Sequence, residues 1–91
     1  MNEEIRKILD EVAGLNVPIA SLRDRDDLYA AGLSSISTIG VMLAIEGRFN
    51  IEIPDEMVTR DLFKSIEALA RAVAAMQRFE GVIRGSDSEQ A

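Results

Sequence analysis

Ser34 and Ser35 stand just after Gly32-Leu33 and just before a run of apolar residues at helical spacing. A hydroxyl at a helix start tends to be exposed, and the helix end offers unpaired N–H groups and positive partial charge. A phosphate esterified there would sit favourably. The same serines equally suit plain capping, in which a Ser oxygen accepts from the first-turn N–H groups. Composition excludes a third role. The chain has no His and no Cys, and its lysines are Lys7 and Lys64. A serine nucleophile needs a base within hydrogen-bond reach, and the usual base near neutral pH is missing. Ser35, if functional, is acted upon rather than acting, and no catalytic residue is expected.

The acid pairs Glu3-Glu4, Asp26-Asp27 and Asp55-Glu56 do not match the spacing of a calcium loop. They read as solvated charge. Without thiolate or imidazole ligands, no metal site is expected. Sixteen acids against ten bases give a net charge of −6, with no basic run. Nucleic acid is therefore not an expected ligand. The acidity either steers basic partners or simply keeps a small protein soluble. The N-terminus lacks an apolar signal segment, and no stretch reaches the ~18 apolar residues of a membrane span. A cytoplasmic protein with no membrane contact is expected.

Several elements must position these serines. Residues 2–13 predict a first helix with Ile5, Ile8, Leu9 and Val12 as its apolar stripe, Asn2 as cap and Gly14 as stop. Residues 14–34 contain Pro18 and Gly32 and predict a long loop. Its apolar residues, Leu15 to Tyr29, imply that it packs across the domain rather than hanging free, with room for one short helical turn. Residues 35–49 predict a second helix ending at Asn50. Ile51 to Pro54 form an extended connector, because the residue before Pro avoids the helical region. Asp55–Arg60 predict a brief third helix. Residues 62–79 predict the last, with Leu62, Ile66, Leu69, Val73 and Met76 on one face. This divides the chain into a domain at 1–80 and a flexible polar tail at 81–91. The pattern is an all-α bundle with one long connection.

The second helix is too apolar for a simple surface element. Val41, Met42, Ile45 and Phe49 fill one sector, and Ile36, Ile39 and Leu43 an adjoining one. A bundle helix needs an apolar arc of roughly 100°. The excess signifies either deep burial or a second face, as a cavity wall or a docking strip beside Ser35.

At Gly32-Leu33-Ser34-Ser35-Ile36 the chain resembles the Gly-x-Asp-Ser-Leu motif of the acyl carrier protein family, which includes aminoacyl carriers. Asp27-Leu28-Tyr29 is similar to the acidic-plus-aromatic run upstream of that motif. Phe49-Asn50-Ile51-Glu52-Ile53-Pro54-Asp55-Glu56 resembles the Phe-to-Pro signature that follows the second helix. The resemblance covers residues 3–79. It implies an acyl-carrier-like four-helix bundle with a long first loop and a short third helix. It also implies that Ser35 receives 4′-phosphopantetheine from coenzyme A through a phosphopantetheinyl transferase. The arm's thiol would then carry acyl or aminoacyl thioesters, loaded by a charging ligase and passed to downstream transferases, with the carrier a monomer.

Three departures point to a specialised carrier rather than the general fatty-acid one. Ser34 replaces the motif's Asp. The second helix has Glu46 and Arg48 as its charged residues, where family helices are usually acidic. Gly40 stands where fatty-acid carriers commonly have Glu, at a cost of about 0.5–1 kcal/mol relative to Ala. Leu33, Ile36, Ile39, Leu43 and Arg48 are the expected partner-docking residues. A non-covalent helical adaptor without a prosthetic group is the alternative of a different class, and an isolated enzyme ranks third.

Overall fold

In the computed structural model, α1 spans Asn2–Val12, α2 spans Ser35–Phe49 and α3 spans Ile66–Gln90. The backbone is described for residues 1–90 and the side chains for residues 1–78. The tail expected at 81–91 falls on side chains outside the described residues.

Ile5, Ile8 and Leu9 of α1 are buried against α2 and α3. The stripe continues to Ala13, which is fully buried, and not to the expected Val12, which is 40% exposed. Ala13 lies four residues beyond Leu9, on the same face. Gly14 then ends the helix in the left-handed region, at φ +62°. Asn2 is not the cap. It lies inside the helix and donates from Nδ2 to Asp24 Oδ2 at 3.1 Å.

The long connection packs as a structured loop, with a 3-10 turn at Ile19–Ser21. Arg6 reaches out of α1 to hold it. Nη1 donates to the carbonyls of Ile19 (3.2 Å) and Leu22 (2.9 Å), and Nη2 pairs with Asp24 at 2.7 Å. Leu28 is fully buried, and its N–H donates to the Lys64 carbonyl at 2.8 Å. These contacts satisfy loop backbone that would otherwise be orphaned on burial.

Ser34 caps α2 by accepting from the Ser37 N–H, and Asn50 closes it in the left-handed conformation at φ 53°. Ile51 and Ile53 then alternate into the core around exposed Glu52. The brief helix expected at Asp55–Arg60 is instead two 3-10 turns, Asp55–Met57 and Arg60–Phe63. The last helix starts at Ile66 rather than at residue 62. Ser65 Oγ accepts from the Ala68 N–H at 3.0 Å, an N-cap bond that sets the first turn. Leu62 still reaches the core, from the preceding 3-10 turn. Ile66, Leu69, Val73 and Met76 complete the core from α3. The described fold is thus all-helical, with three α-helices and three 3-10 turns.

Candidate functional site

Ser35 is the first residue of α2 and is exposed. Gly32 determines how the chain reaches it. Its φ is +109°, and a Cβ there would lie 2.6 Å from Asn16 Nδ2 and 3.0 Å from the Asn16 backbone nitrogen. Glycine is required on both counts. It lets the end of the loop cross its own beginning, where the Asn16 N–H donates to the Ala31 carbonyl at 2.8 Å. Asp27 Oδ1 accepts from the N–H groups of Tyr29 (2.9 Å) and Ala30 (3.4 Å), shaping the preceding turn. Leu33 is 5% exposed and belongs to the core. It is therefore not a docking residue, but the apolar anchor that pins the loop just before the serines.

The two serines divide their roles. Ser34 Oγ accepts from the Ser37 N–H at 3.1 Å and lies 2.8 Å from Ser37 Oγ. Among the described residues, the Ser35 hydroxyl takes part in no hydrogen bond, and it stands at a helix start with no acid in its first turn. An exposed, disengaged oxygen beside positive partial charge suits a phosphodiester. The residues therefore fit a covalently attached phosphopantetheine arm.

The apolar arc of α2 splits into two faces. Val41 and Ile45 are fully buried, whereas Ile36, Ile39 and Leu43 are 83%, 57% and 58% exposed. The excess apolar surface is thus a second, outward face that starts beside Ser35. Gly40 lies along it, with nothing within 4 Å of where a Cβ would stand. Arg48 does not share this face. At ~100° per residue it lies roughly 140° around the helix from the strip's centre. It turns toward α1, pairing with Glu4 Oε2 at 3.1 Å.

Ser35 also borders an open groove of about 240 Å³, lined by Tyr29, Thr38, Val58, Thr59, Arg60 and Phe63. The Arg60 guanidinium stacks 3.9 Å from the Tyr29 ring centroid, and the Tyr29 hydroxyl donates to the Arg60 carbonyl at 3.0 Å. Burial pushes the Tyr29 hydroxyl above its ordinary pKa, against the pull of Arg60 and with Asp27 and Asp61 adding to the rise. It stays protonated and keeps donating at neutral pH. Sequence reasoning did not select Arg60 as a site residue. It lies 25 positions from Ser35, and only folding brings the Arg60–Phe63 turn to the start of α2.

The family model described as the phosphopantetheine attachment site matches residues 3–73. An aminoacyl carrier protein of Agrobacterium fabrum is 45% identical over 73 residues, covering 80% of this chain and 88% of the relative. A second relative, aminoacyl carrier protein 1 of Bradyrhizobium diazoefficiens, is 29% identical over 80% of this chain and 81% of its own length. Among solved structures, one is an engineered Bradyrhizobium japonicum glycine:carrier protein ligase complexed with a carrier protein from Agrobacterium tumefaciens and AMP. A carrier-sized chain of that complex matches with TM-score 0.79 and 44% identity, covering 81% of this chain and 99% of the matched one. A carrier-sized chain in the complex of a Bradyrhizobium japonicum glycine:carrier protein ligase with glycylated carrier protein matches with TM-score 0.67 and 28% identity, over 78% and 95% of the two chains. With a family model matching most of its length and a relative 45% identical over four-fifths of it, the chain belongs to the phosphopantetheine-bearing family of acyl and aminoacyl carrier proteins.

Proposed function

We propose that Ser35 carries the 4′-phosphopantetheine arm and that the arm's cargo is a small amino acid, held as a thioester. The observation that carries this reading is the exposed, unbonded Ser35 hydroxyl beside the Ile36–Ile39–Leu43 strip. The arm supplies a thiol that the protein, lacking cysteine, cannot. The protein's own residues orient the attachment oxygen: Gly32 and Leu33 fix the approach, and Ser34 caps the helix. Family membership makes the chain a carrier that other enzymes charge, not a catalyst.

The docking partner is a stand-alone charging ligase of the kind complexed with the similar carriers. The strip at Ile36, Ile39 and Leu43 is its contact surface, and the locally neutral α2 disfavours the basic docking sites of general fatty-acid enzymes. A phosphopantetheinyl transferase modifies the apo-protein, and downstream transferases unload it. The two 3-10 turns at 55–63 stand in for the short third helix of a four-helix carrier bundle. The reading includes a monomer in the cytoplasm, where coenzyme A is at hand. Among the described residues, no helix is long and apolar enough to cross a membrane.

Charging tests the cargo. The phosphopantetheinylated protein would be incubated with ATP, a glycine:carrier protein ligase and glycine, and separately with a fatty-acid ligase and a long-chain fatty acid. Thioester mass on the arm with glycine but not with the fatty acid is expected. Loading only by the fatty acid would overturn the aminoacyl reading.

A further inference from the structure

The groove beside Ser35 has features that a bare attachment point does not require. Arg60 is the one cation among its lining residues. It is held at two points, by its guanidinium over the Tyr29 ring and by its carbonyl on the Tyr29 hydroxyl. Among the described residues it has no carboxylate within ion-pair distance, unlike Arg6, Arg25, Arg48 and Arg71. A stacked guanidinium keeps its edge N–H groups available, and two of them match two oxygens of a phosphate group. Ser35 lines the same groove, so anything esterified to its oxygen begins there. The neutral Ser34 and the acid-free first turn of α2 put no negative charge next to that phosphate.

We propose that Arg60, positioned by Tyr29, binds the phosphodiester of the arm on Ser35, and that the Thr38–Thr59–Val58–Phe63 groove receives the adjoining pantoyl part of the arm. This rests on the assignment of Ser35 as the attachment residue. The chemistry of the groove follows the order of groups along the arm. A guanidinium meets the single negative charge nearest the serine. Exposed Val58 and the Phe63 ring meet the paired methyl groups that come next, and the Thr59 hydroxyl can pair with the neighbouring hydroxyl or amide. The groove holds about 240 Å³, which suits the first part of the arm and leaves its thiol end outside. Arg60 thus orients the arm without contacting the thioester.

The test uses the full chain, modified with coenzyme A and a broad-specificity transferase, with intact mass confirming attachment in every sample. The parent, Arg60→Gln, Arg60→Lys and Tyr29→Phe proteins are compared by phosphorus-31 and proton NMR. In the parent, the arm's methyl protons should show cross-peaks to Val58 and Thr59 methyl groups, and backbone amides of residues 58–60 should shift between apo and modified forms. Arg60→Gln should lose the cross-peaks and move the phosphorus resonance toward that of free phosphopantetheine, with Arg60→Lys intermediate. Tyr29→Phe, which keeps the ring but loses the bond to the Arg60 carbonyl, should weaken the cross-peaks. A modified parent with no cross-peaks and no amide shifts at residues 58–63 would overturn the proposal. So would an Arg60→Gln protein indistinguishable from the parent. Failure of the parent to gain the arm's mass would instead overturn the Ser35 reading itself.

Discussion

Two glycines with opposite surroundings make the residue-scale account testable. Gly32 has φ +109° and no room for a side chain beside Asn16, whereas Gly40 lies mid-helix with open space where a Cβ would go. Gly32→Ala should destabilise the fold by about 1–3 kcal/mol, the usual cost of forcing a side chain into a sparsely populated backbone region. Gly40→Ala should stabilise it by about 0.5–1 kcal/mol, because it removes helix-interior glycine entropy without a clash. Urea unfolding of both variants checks the contrast. A neutral Gly32→Ala would mean that the loop crossing before Ser35 is less constrained than its geometry implies.

At the scale of elements, the outer face of α2 and the clamp on the long loop each carry a prediction. Ile39→Asp places a charge in the exposed strip, where a surface change alters stability by only about ±0.5 kcal/mol. If the strip anchors the ligase, losing one central apolar contact costs more than about 1 kcal/mol of binding, or at least roughly fivefold in kcat/KM for charging. Arg48→Gln is the control. It removes an exposed pair with Glu4, worth about 0–1 kcal/mol, and lies off the strip, so charging should be unchanged. Equal effects of the two substitutions would place the interface elsewhere. The clamp is sensitive to acid. The hydrogen bond from Arg6 holds Asp24 below its ordinary pKa, with a further bond from Asn2, while burial opposes the shift. A depressed carboxylate contributes stability that is complete above its unfolded value of ~3.9 and disappears as pH falls through the lower folded value. The stability gap between the parent and Asp24→Asn should therefore be open at neutral pH and close below about pH 4. A gap that persists in strong acid would show that the Arg6–Asp24 pair is not its source.

For the molecule as a whole, what the sequence disclosed depended on range. A serine cap before α2, Asn50 as stop, Pro54 as breaker and the over-wide apolar arc of α2 are local facts, set by side chains within a few residues of one another, and the fold contains them all; which serine caps, and whether the extra arc is buried or exposed, emerges only in the fold. The packed character of the long loop was also legible, from its apolar anchors. The contacts that hold it were not. Arg6 with Asp24 and Tyr29 with Arg60 span 18 and 31 positions and depend on tertiary geometry. The segment from Asp55 to Phe63 carries helical composition, yet Pro54, Thr59 and the Ser65 cap break it into 3-10 turns. Leu33 stands beside the serines and is named with the expected docking residues, but it precedes the helix start and is buried in the core. The central claim, that this acidic bundle exists to present an arm from one serine, can be tested by intact mass spectrometry. The parent, Ser34→Ala, Ser35→Ala and Ser37→Ala proteins would each be incubated with coenzyme A and a phosphopantetheinyl transferase. A gain of one phosphopantetheine is expected on every protein except Ser35→Ala. A Ser35→Ala protein modified as fully as the parent would contradict the claim.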